Sequence, residues 1–218
     1  MKINIRSALG LPPKIDSFVE DLEKGVGTSK FDPNPGHWRV SSLVYLWDEK
    51  NTKKRDENLY KYLAGSIEED IDTKLAKVFD IGHSVHHLVK KYLDKSPHFN
   101  VIGDEVPIRH NSLPLTGTVD HVIKWDKYPN TTFVAEIKSC NTEGMNRPIY
   151  GARIKPFKKH RWQAGIYALI TGYTPIVIYY DKNTSEIVAH MLQKEDYIGD
   201  VEEMLIKLNE IYDKWRNQ

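Results

Sequence analysis

Hydrophobic residues recur along the chain with two different periods, which separate helical from extended segments. Spacings of three and four predict a helix over residues 67–95, another over HRWQAGIYALITG and an amphipathic helix over residues 195–217. The apolar face of the first helix comprises Leu75, Phe79, Gly82, His86, Val89 and Leu93. A further helix is predicted to begin near Ser41 or Ser42, either of which can supply the capping oxygen.

Apolar runs bounded by turn residues predict the strands. These are VIGDEVPIRH, LTGTVDHVIKW, TFVAEIKSC, TPIVIYYD and SEIVAHML. The order of elements, helices followed by a strand meander and then helix, strands and helix, predicts an α/β fold with a mixed central sheet flanked by helices. We expect one compact domain, in which an N-terminal helical or irregular region (1–66) packs on a core (67–218).

The predicted strand TFVAEIKSC carries charged side chains on one of its faces. Glu136 and Lys138 are two residues apart, so they project the same way, about 7 Å from each other at the backbone. If the preceding turn centres near Tyr128–Pro129, antiparallel pairing brings Asp120 opposite the region Glu136–Ser139. Two converging carboxylates repel each other unless a cation joins them, and a hard divalent ion is the usual solution. A surface ion pair between Glu136 and Lys138 is the simpler alternative.

One histidine of the helix predicted over residues 67–95 faces its apolar side. In GHSVHH, His86 lies on the apolar stripe, whereas His83 and His87 lie nearer the polar side. A hydrogen-bonded core histidine and a metal ligand are the two interpretations of such a residue.

A basic stretch follows the strand TFVAEIKSC. From Gly144 to Tyr180 the chain has no Asp or Glu, although its net charge is only +1. The cations in this stretch are Arg147, Arg153, Lys155, Lys158, Lys159 and Arg161. They fit binding to a phosphate backbone, and the interleaved aromatics Tyr150, Phe157 and Trp162 could stack on the bases of a single strand. A solvated loop whose aromatics pack underneath is the alternative.

Four short motifs occur in the order IGHSVHHLV, GTVDHVI, VAEIKSC and HRWQAGIY. Together they resemble the PD-(D/E)XK nuclease superfamily in its RecB-like branch, with its G-x-x-x-H, G-x-x-D, E-x-K and Q-x-x-x-Y motifs. The resemblance covers about residues 80–192. It implies a restriction-endonuclease-like core and a divalent-metal-dependent hydrolase that cleaves DNA phosphodiesters.

The resemblance also implies which residues form the site. His86, Asp120, Glu136 and the backbone carbonyl of Ile137 would hold Mg²⁺ or Mn²⁺. Asp120 and Glu136 are catalytic through that metal, and Lys138 is the catalytic lysine, which orients the attacking water or stabilises charge on the phosphate.

On the following helix the resemblance implies that Gln163 and Tyr167 border the site and contact substrate. His160 shares their helical face, since the three residues are spaced by three and four. For Tyr167 the alternative is a place in the core, with Gln163 satisfying a backbone group, and for His160 both interpretations stay open. Glu105 is expected to influence the metal site only indirectly, through the residues that bind the metal.

The implied activity is that of a stand-alone DNA exonuclease acting on ends or single strands in DNA recombination, repair or replication. An endonuclease of the same superfamily and a catalytically silent DNA-binding module are the alternatives. A helicase, an annealing protein or a replisome component is the kind of partner expected to recruit it.

A single cysteine, Cys140, excludes an internal disulfide and the four-cysteine iron–sulfur cluster of some relatives. No apolar run is long enough to cross a bilayer, and the N-terminus lacks a signal-peptide core, so no membrane partner is expected. We expect a reducing, intracellular setting: the cytoplasm of a bacterium or a phage-infected cell, or a mitochondrion.

Overall fold

The secondary-structure elements follow the order that the hydrophobic pattern predicts. The computed structural model describes residues 29–31, 35–67, 69–71, 73–146 and 151–217, with side chains over 35–67, 77–146 and 151–217. The helices are α1 (Val40–Trp47), α2 (Thr52–Leu63), α3 (Thr73–Lys95), α4 (Thr142–Asn146), α5 (Lys158–Thr171) and α6 (Ile198–Arg216). The strands are β1 (Ser29–Phe31), β2 (Trp38–Arg39), β3 (Glu69–Ile71), β4 (Phe99–Arg109), β5 (Leu115–Trp125), β6 (Thr132–Cys140), β7 (Thr174–Asp181) and β8 (Ile187–Met191).

A six-stranded mixed sheet forms the centre of the described fold, and β5 is its branching strand. Strand β5 pairs antiparallel with β4 along most of its length and parallel with β2 at Leu115 and Thr116. It pairs antiparallel with β6 only as far as His121 and Ala135, after which β6 continues beside the parallel β7, and β8 closes the edge. Strands β5 and β6 therefore separate, and we call this opening the β5–β6 fork.

Apolar side chains are buried in two clusters. The larger one joins α1, α2, α5 and α6 to the sheet, and its members include Trp38, Leu43, Leu59, Val134, Trp162, Tyr167 and Leu208. The smaller one lies under α3 and includes Val85, Val89, Leu93, Ile123, Phe133 and Ile137. Removal of this apolar surface from water is the main term that holds the helices on the sheet. The division into regions 1–66 and 67–218 stays a prediction.

The strands predicted from the sequence agree closely with those of the structure. The strands over residues 115–125, 132–140 and 174–181 have the predicted bounds, and β7 and β8 form the predicted hairpin. Gly172 ends α5 with a left-handed backbone, φ +72°, which glycine adopts without steric cost. The mixed α/β fold with helices around a central sheet is thus confirmed. Within the described ranges, none of the helices is long and apolar enough to span a membrane.

Three helix predictions need correction. The helix predicted from residue 67 begins at Thr73, because Glu69–Ile71 pairs with β1 as strand β3. Helix α1 begins before both serines that were expected to cap it; Arg39 is its N-cap, without a side-chain hydrogen bond. On α3, Phe79 is 45% exposed rather than inward; among the side chains described from residue 77 onward, the first buried one is Val85.

Candidate active site

The backbone of Ile137 lies at the centre of the β5–β6 fork. The last paired residues of β5 and β6 are His121 and Ala135, so Asp120 and Glu136 come immediately beyond them. In place of a backbone carbonyl, Oδ2 of Asp120 accepts the hydrogen bond of the Ile137 amide at 2.6 Å. The strand pairing therefore ends on a carboxylate, and this position keeps that carboxylate next to the neighbouring strand.

Helix α3 brings an imidazole to the same backbone segment. Nε2 of His86 lies 3.0 Å from the Ile137 carbonyl, and its Nδ1 lies 3.6 Å from Oδ1 of Asp120. Because a carbonyl only accepts, Nε2 carries the proton in this arrangement. Burial lowers the pKa of His86, so its ring is neutral, the form that ligates metals. His83 and His87 are exposed, as the helical spacing predicts.

Glu136 is the most buried carboxylate of the fork, with 1% of its surface exposed. Its Oε1 lies 2.5 Å from Nζ of Lys138, whose side chain is 24% exposed and borders the cleft. Its Oε2 is buried and has no hydrogen-bond partner in the described part of the chain. A buried carboxylate oxygen left without a partner is destabilising, so Oε2 is available to a cation.

The charges of the fork are not balanced by the one lysine. Burial raises the pKa of Glu136, and the charge of Asp120 raises it further. Burial also raises the pKa of Asp120, against the opposing effects of Lys138 and the Ile137 amide. Burial alone would lower the pKa of Lys138, but the two carboxylates outweigh it and the pKa is raised. A further positive charge at the fork would stabilise both carboxylates in their ionised form.

The donor groups fit a hard divalent cation. Among the described residues no three His, Cys, Asp or Glu side chains already form a metal-binding cluster. Nε2 of His86 is instead directed at the Ile137 carbonyl, and Oε1 of Glu136 at Lys138. Two carboxylates, a backbone carbonyl and an imidazole are nevertheless an oxygen-rich set, which suits Mg²⁺ or Mn²⁺. Ligation by these groups stays a prediction.

Helix α5 supplies a second wall of the cleft through Gln163 and Tyr167. Both side chains are buried, and the Gln163 amide donates to the Tyr167 hydroxyl at 3.0 Å. A Cβ on Gly117 would lie 2.9 Å from Cε1 of Tyr167 and 3.1 Å from Cγ2 of Val40. The glycine of GTVD is thus required for the close approach of Tyr167. The core placement of Tyr167 is confirmed, while substrate contact stays a prediction.

His160, on the same helix, contacts Tyr179 of β7. Its Nδ1 is 2.8 Å from the hydroxyl of Tyr179, which also accepts a hydrogen bond from the Phe157 amide. A neutral ring with an unprotonated Nδ1 can accept a hydrogen bond from that hydroxyl. Burial lowers the pKa of His160 to about 3. Gln163 and Tyr167 line the cleft, whereas His160 is not among its lining residues. Contact of His160 with substrate stays a prediction.

The basic stretch is not a free positive surface in three dimensions. Each of four predicted cations has a carboxylate within 4 Å, and the pairs are Arg153–Glu186, Lys155–Asp196, Lys158–Asp200 and Lys159–Asp48. Arg161 donates to the backbone carbonyl of Asp196 at 2.9 Å. The charge excess along the sequence is thus offset by acids from other elements. Substrate binding by these residues stays a prediction, and Arg147 lies outside the described residues.

The aromatics of this stretch face inward. Trp162 is 2% exposed, and Phe157 packs edge-on against His160 and Tyr179. Tyr150 lies outside the described residues. The alternative in which Trp162 packs underneath the loop is confirmed.

The cleft contains residues that sequence reasoning missed. It has a volume of about 900 Å³, and its further lining residues are Arg39, Ser41, Phe79, His83, Pro107, Ile108, Arg109, Thr116, Gly117 and Thr118. No local motif marks Arg39 or Arg109, which come together only through the strand register. Glu105 also acts on the site, since its charge contributes to the raised pKa of Asp120.

Comparison with solved structures identifies the class of fold. An alkaline exonuclease from Laribacter hongkongensis, LHK-Exo, superposes with a TM-score of 0.55 at 16% sequence identity, covering 84% of this chain and 92% of its own. A complex of LHK-Exo with dAMP gives 0.54 at 16% identity over the same shares. The protein SSO0001 gives 0.47 at 18% identity, covering 89% of this chain and 87% of its own. The described chain therefore has a fold similar to that of an exonuclease. No protein-family model and no curated protein sequence matches it.

Proposed function

We propose that this protein is a divalent-metal-dependent deoxyribonuclease of the PD-(D/E)XK superfamily, RecB-like branch, and an exonuclease acting at DNA ends or on single strands. The observation that carries the proposal is the grouping of Asp120, His86 and the buried Glu136 around the backbone of Ile137, with one carboxylate oxygen unpartnered. The likeness in fold to an alkaline exonuclease supports it, and a dAMP complex of that exonuclease supports DNA as the substrate.

The reaction is hydrolysis of a phosphodiester. The water oxygen forms a bond to phosphorus while the bond to the leaving oxygen breaks, and the leaving oxygen takes up a proton. When bound, the divalent ion supplies positive charge at the phosphate and lowers the pKa of the attacking water. Asp120, Glu136 and the Ile137 carbonyl would provide the oxygens that hold it, and His86 would provide a neutral nitrogen.

Lys138 acts directly on the reacting groups. Its ammonium group is held in place by Oε1 of Glu136 and reaches the cleft, where it donates to a phosphate oxygen or orients the water. Gln163 and Tyr167 also line the cleft and position the strand. The same chain residues would serve an endonuclease equally well, because the cleavage chemistry is shared.

The proposal is tested by Mn²⁺- or Mg²⁺-dependent release of nucleotides from labelled linear DNA. We expect wild-type protein to degrade linear single strands and to leave circular single strands intact. Lys138→Met is expected to abolish cleavage, whereas Lys124→Met, a lysine of β5 outside the cleft, retains it. Cleavage of circles would assign an endonuclease, and metal-independent DNA binding without turnover would assign a silent binding module.

A further inference from the structure

Two exposed arginines flank one residue of β5. Arg39 of β2 and Arg109 of β4 both pair with Thr116, from opposite sides of that strand. Side chains at paired positions of neighbouring strands project from the same face of a sheet, so the two guanidinium groups lie in one row. Within the described residues neither has an acidic partner within 4 Å. In this part of the chain they differ from the four cations of the basic stretch, each of which has a carboxylate within 4 Å.

This arginine row lies in the cleft of the proposed catalytic site, at a distance from its centre. Thr116 is four residues before Asp120 on β5, which places the row about 13 Å along the strand from the fork. Arg39, Arg109 and Asp120 all line the same cleft. A guanidinium binds a phosphate through two parallel hydrogen bonds, and it is the side chain best suited to hold one in a fixed position.

Another wall of the cleft comes from α3. Phe79, His83 and His86 are spaced by four and three, so they share one helical face, and all three line the cleft. Phe79 is 45% exposed and lines the cleft, so the face of its ring is accessible to a ligand there. A base can stack on such a ring whatever its sequence, provided that it is not already paired and stacked in a duplex.

We infer that a single strand of DNA lies between these two walls, with its phosphates on Arg39 and Arg109 and a base stacked on Phe79. This inference rests on the proposed function and adds the route of the strand to it. The cations of residues 153–161 have acidic neighbours, which favours the arginine row over the basic stretch as the route.

The salt dependence of DNA binding tests the arginine row. Binding of a fluorescein-labelled oligo-dT is measured by anisotropy in EDTA at increasing salt concentration. Each phosphate contact on a single strand contributes about 0.7 to the slope of log K against log salt, so Arg39→Gln/Arg109→Gln is expected to lower the slope by about 1.4. Lys155→Gln/Lys158→Gln removes the same formal charge and is expected to keep the wild-type slope. An unchanged slope in the arginine variant, or its loss in the lysine variant, overturns the inference.

A second pair of variants tests stacking. Phe79→Ala is expected to weaken oligo-dT binding about tenfold, because stacking of one base is lost. Ile81→Ala is the matched control, since Ile81 belongs to the same helix, is 46% exposed and does not line the cleft. An oligonucleotide of abasic sites has no base to stack and is expected to bind both variants equally. Equal losses for Phe79→Ala and Ile81→Ala, or a loss that persists on the abasic strand, overturn the stacking.

Failure of the inference can be told apart from failure of the proposed function. Hydrolysis of bis(p-nitrophenyl) phosphate by wild-type protein in Mn²⁺ measures the catalytic centre without a DNA strand. Suppose that wild-type protein hydrolyses this ester but that the arginine variant has the same salt slope as wild type. The inferred route of the strand is then wrong, and the proposed nuclease function is retained. If the ester is not hydrolysed, the proposed function fails, and the binding slopes still decide the route.

Discussion

Oδ2 of Asp120 accepts the backbone amide hydrogen bond of Ile137 at 2.6 Å, where β5 and β6 separate. One side chain therefore both terminates the strand pairing and supplies a carboxylate to the candidate metal site. These two roles respond differently to substitution, so they can be separated experimentally.

The first prediction concerns Asp120. Asp120→Asn keeps an oxygen that can accept the Ile137 amide, so it is expected to leave the free energy of unfolding within about 1 kcal/mol of wild type. Asp120→Ala leaves that amide without a partner and is expected to cost about 1–3 kcal/mol. Both variants lose the negative charge, and nuclease activity is expected to fall at least about a hundredfold. Urea unfolding and DNA cleavage measure the two effects, and an active Asp120→Asn protein would contradict the assignment.

The second prediction concerns metal binding. Mn²⁺ that binds the folded state alone stabilises it, by about 2.7 kcal/mol at a hundred times its Kd. We expect Mn²⁺ to raise the Tm of wild-type protein and EDTA to reverse the rise. Glu136→Gln removes the unpartnered oxygen's charge and is expected to lose most of this rise. Glu186→Gln, an acid that pairs with Arg153 away from the fork, should keep it. Equal responses of the two variants would place the metal elsewhere.

The third prediction compares two glycines of the motifs. Gly117→Ala forces a Cβ against Tyr167 and Val40 and is expected to destabilise the protein by about 1–3 kcal/mol. A Cβ at Gly82 meets no described atom within 4 Å, and alanine is the better helix former. Gly82→Ala is therefore expected to stabilise helix α3 by about 0.5–1 kcal/mol. Thermal unfolding measures the Tm of both variants. Tm shifts of the same sign would contradict the packing described around one of the two glycines.

The fourth prediction concerns the acid stability of the fold. Burial lowers the pKa of His160 to about 3, below its unfolded value near 6.5, so the folded state resists protonation. The neutral His160 ring therefore contributes fully to the free energy of unfolding above pH 6.5. This contribution is lost as the pH falls from 6.5 towards 3, at up to about 1.4 kcal/mol per pH unit. Between pH 7 and pH 5 wild-type protein is expected to lose about 2 kcal/mol more than His160→Gln.

Urea unfolding at the two pH values measures this difference. His98→Gln, whose side chain is 70% exposed, is the control and is expected to follow the wild-type profile. If His160→Gln also follows the wild-type profile, the buried neutral ring that accepts from Tyr179 is not present in solution.

The strands and the neighbourhood of the carboxylates were predictable from the sequence. Alternation of apolar and polar residues and a short turn place Asp120 near Glu136, and the register agrees to within a residue. These are local patterns, in which the residues that interact are close along the chain. The inward position of His86 on α3 follows in the same way from helical spacing.

The arrangement of charges was decided by the tertiary structure. The sequence shows a run of cations without acids, but Glu186, Asp196, Asp200 and Asp48 arrive from other elements and pair with them. The arginine row of Arg39 and Arg109 exists only because two distant strands share β5. Which charged side chains pair depends on their distance in space, and the local sequence pattern gives no information about that distance. The sequence by itself therefore pointed to the candidate groups Asp120, Glu136 and His86, whose patterns are local. Only the fold decided which cations of the described residues have an acidic partner.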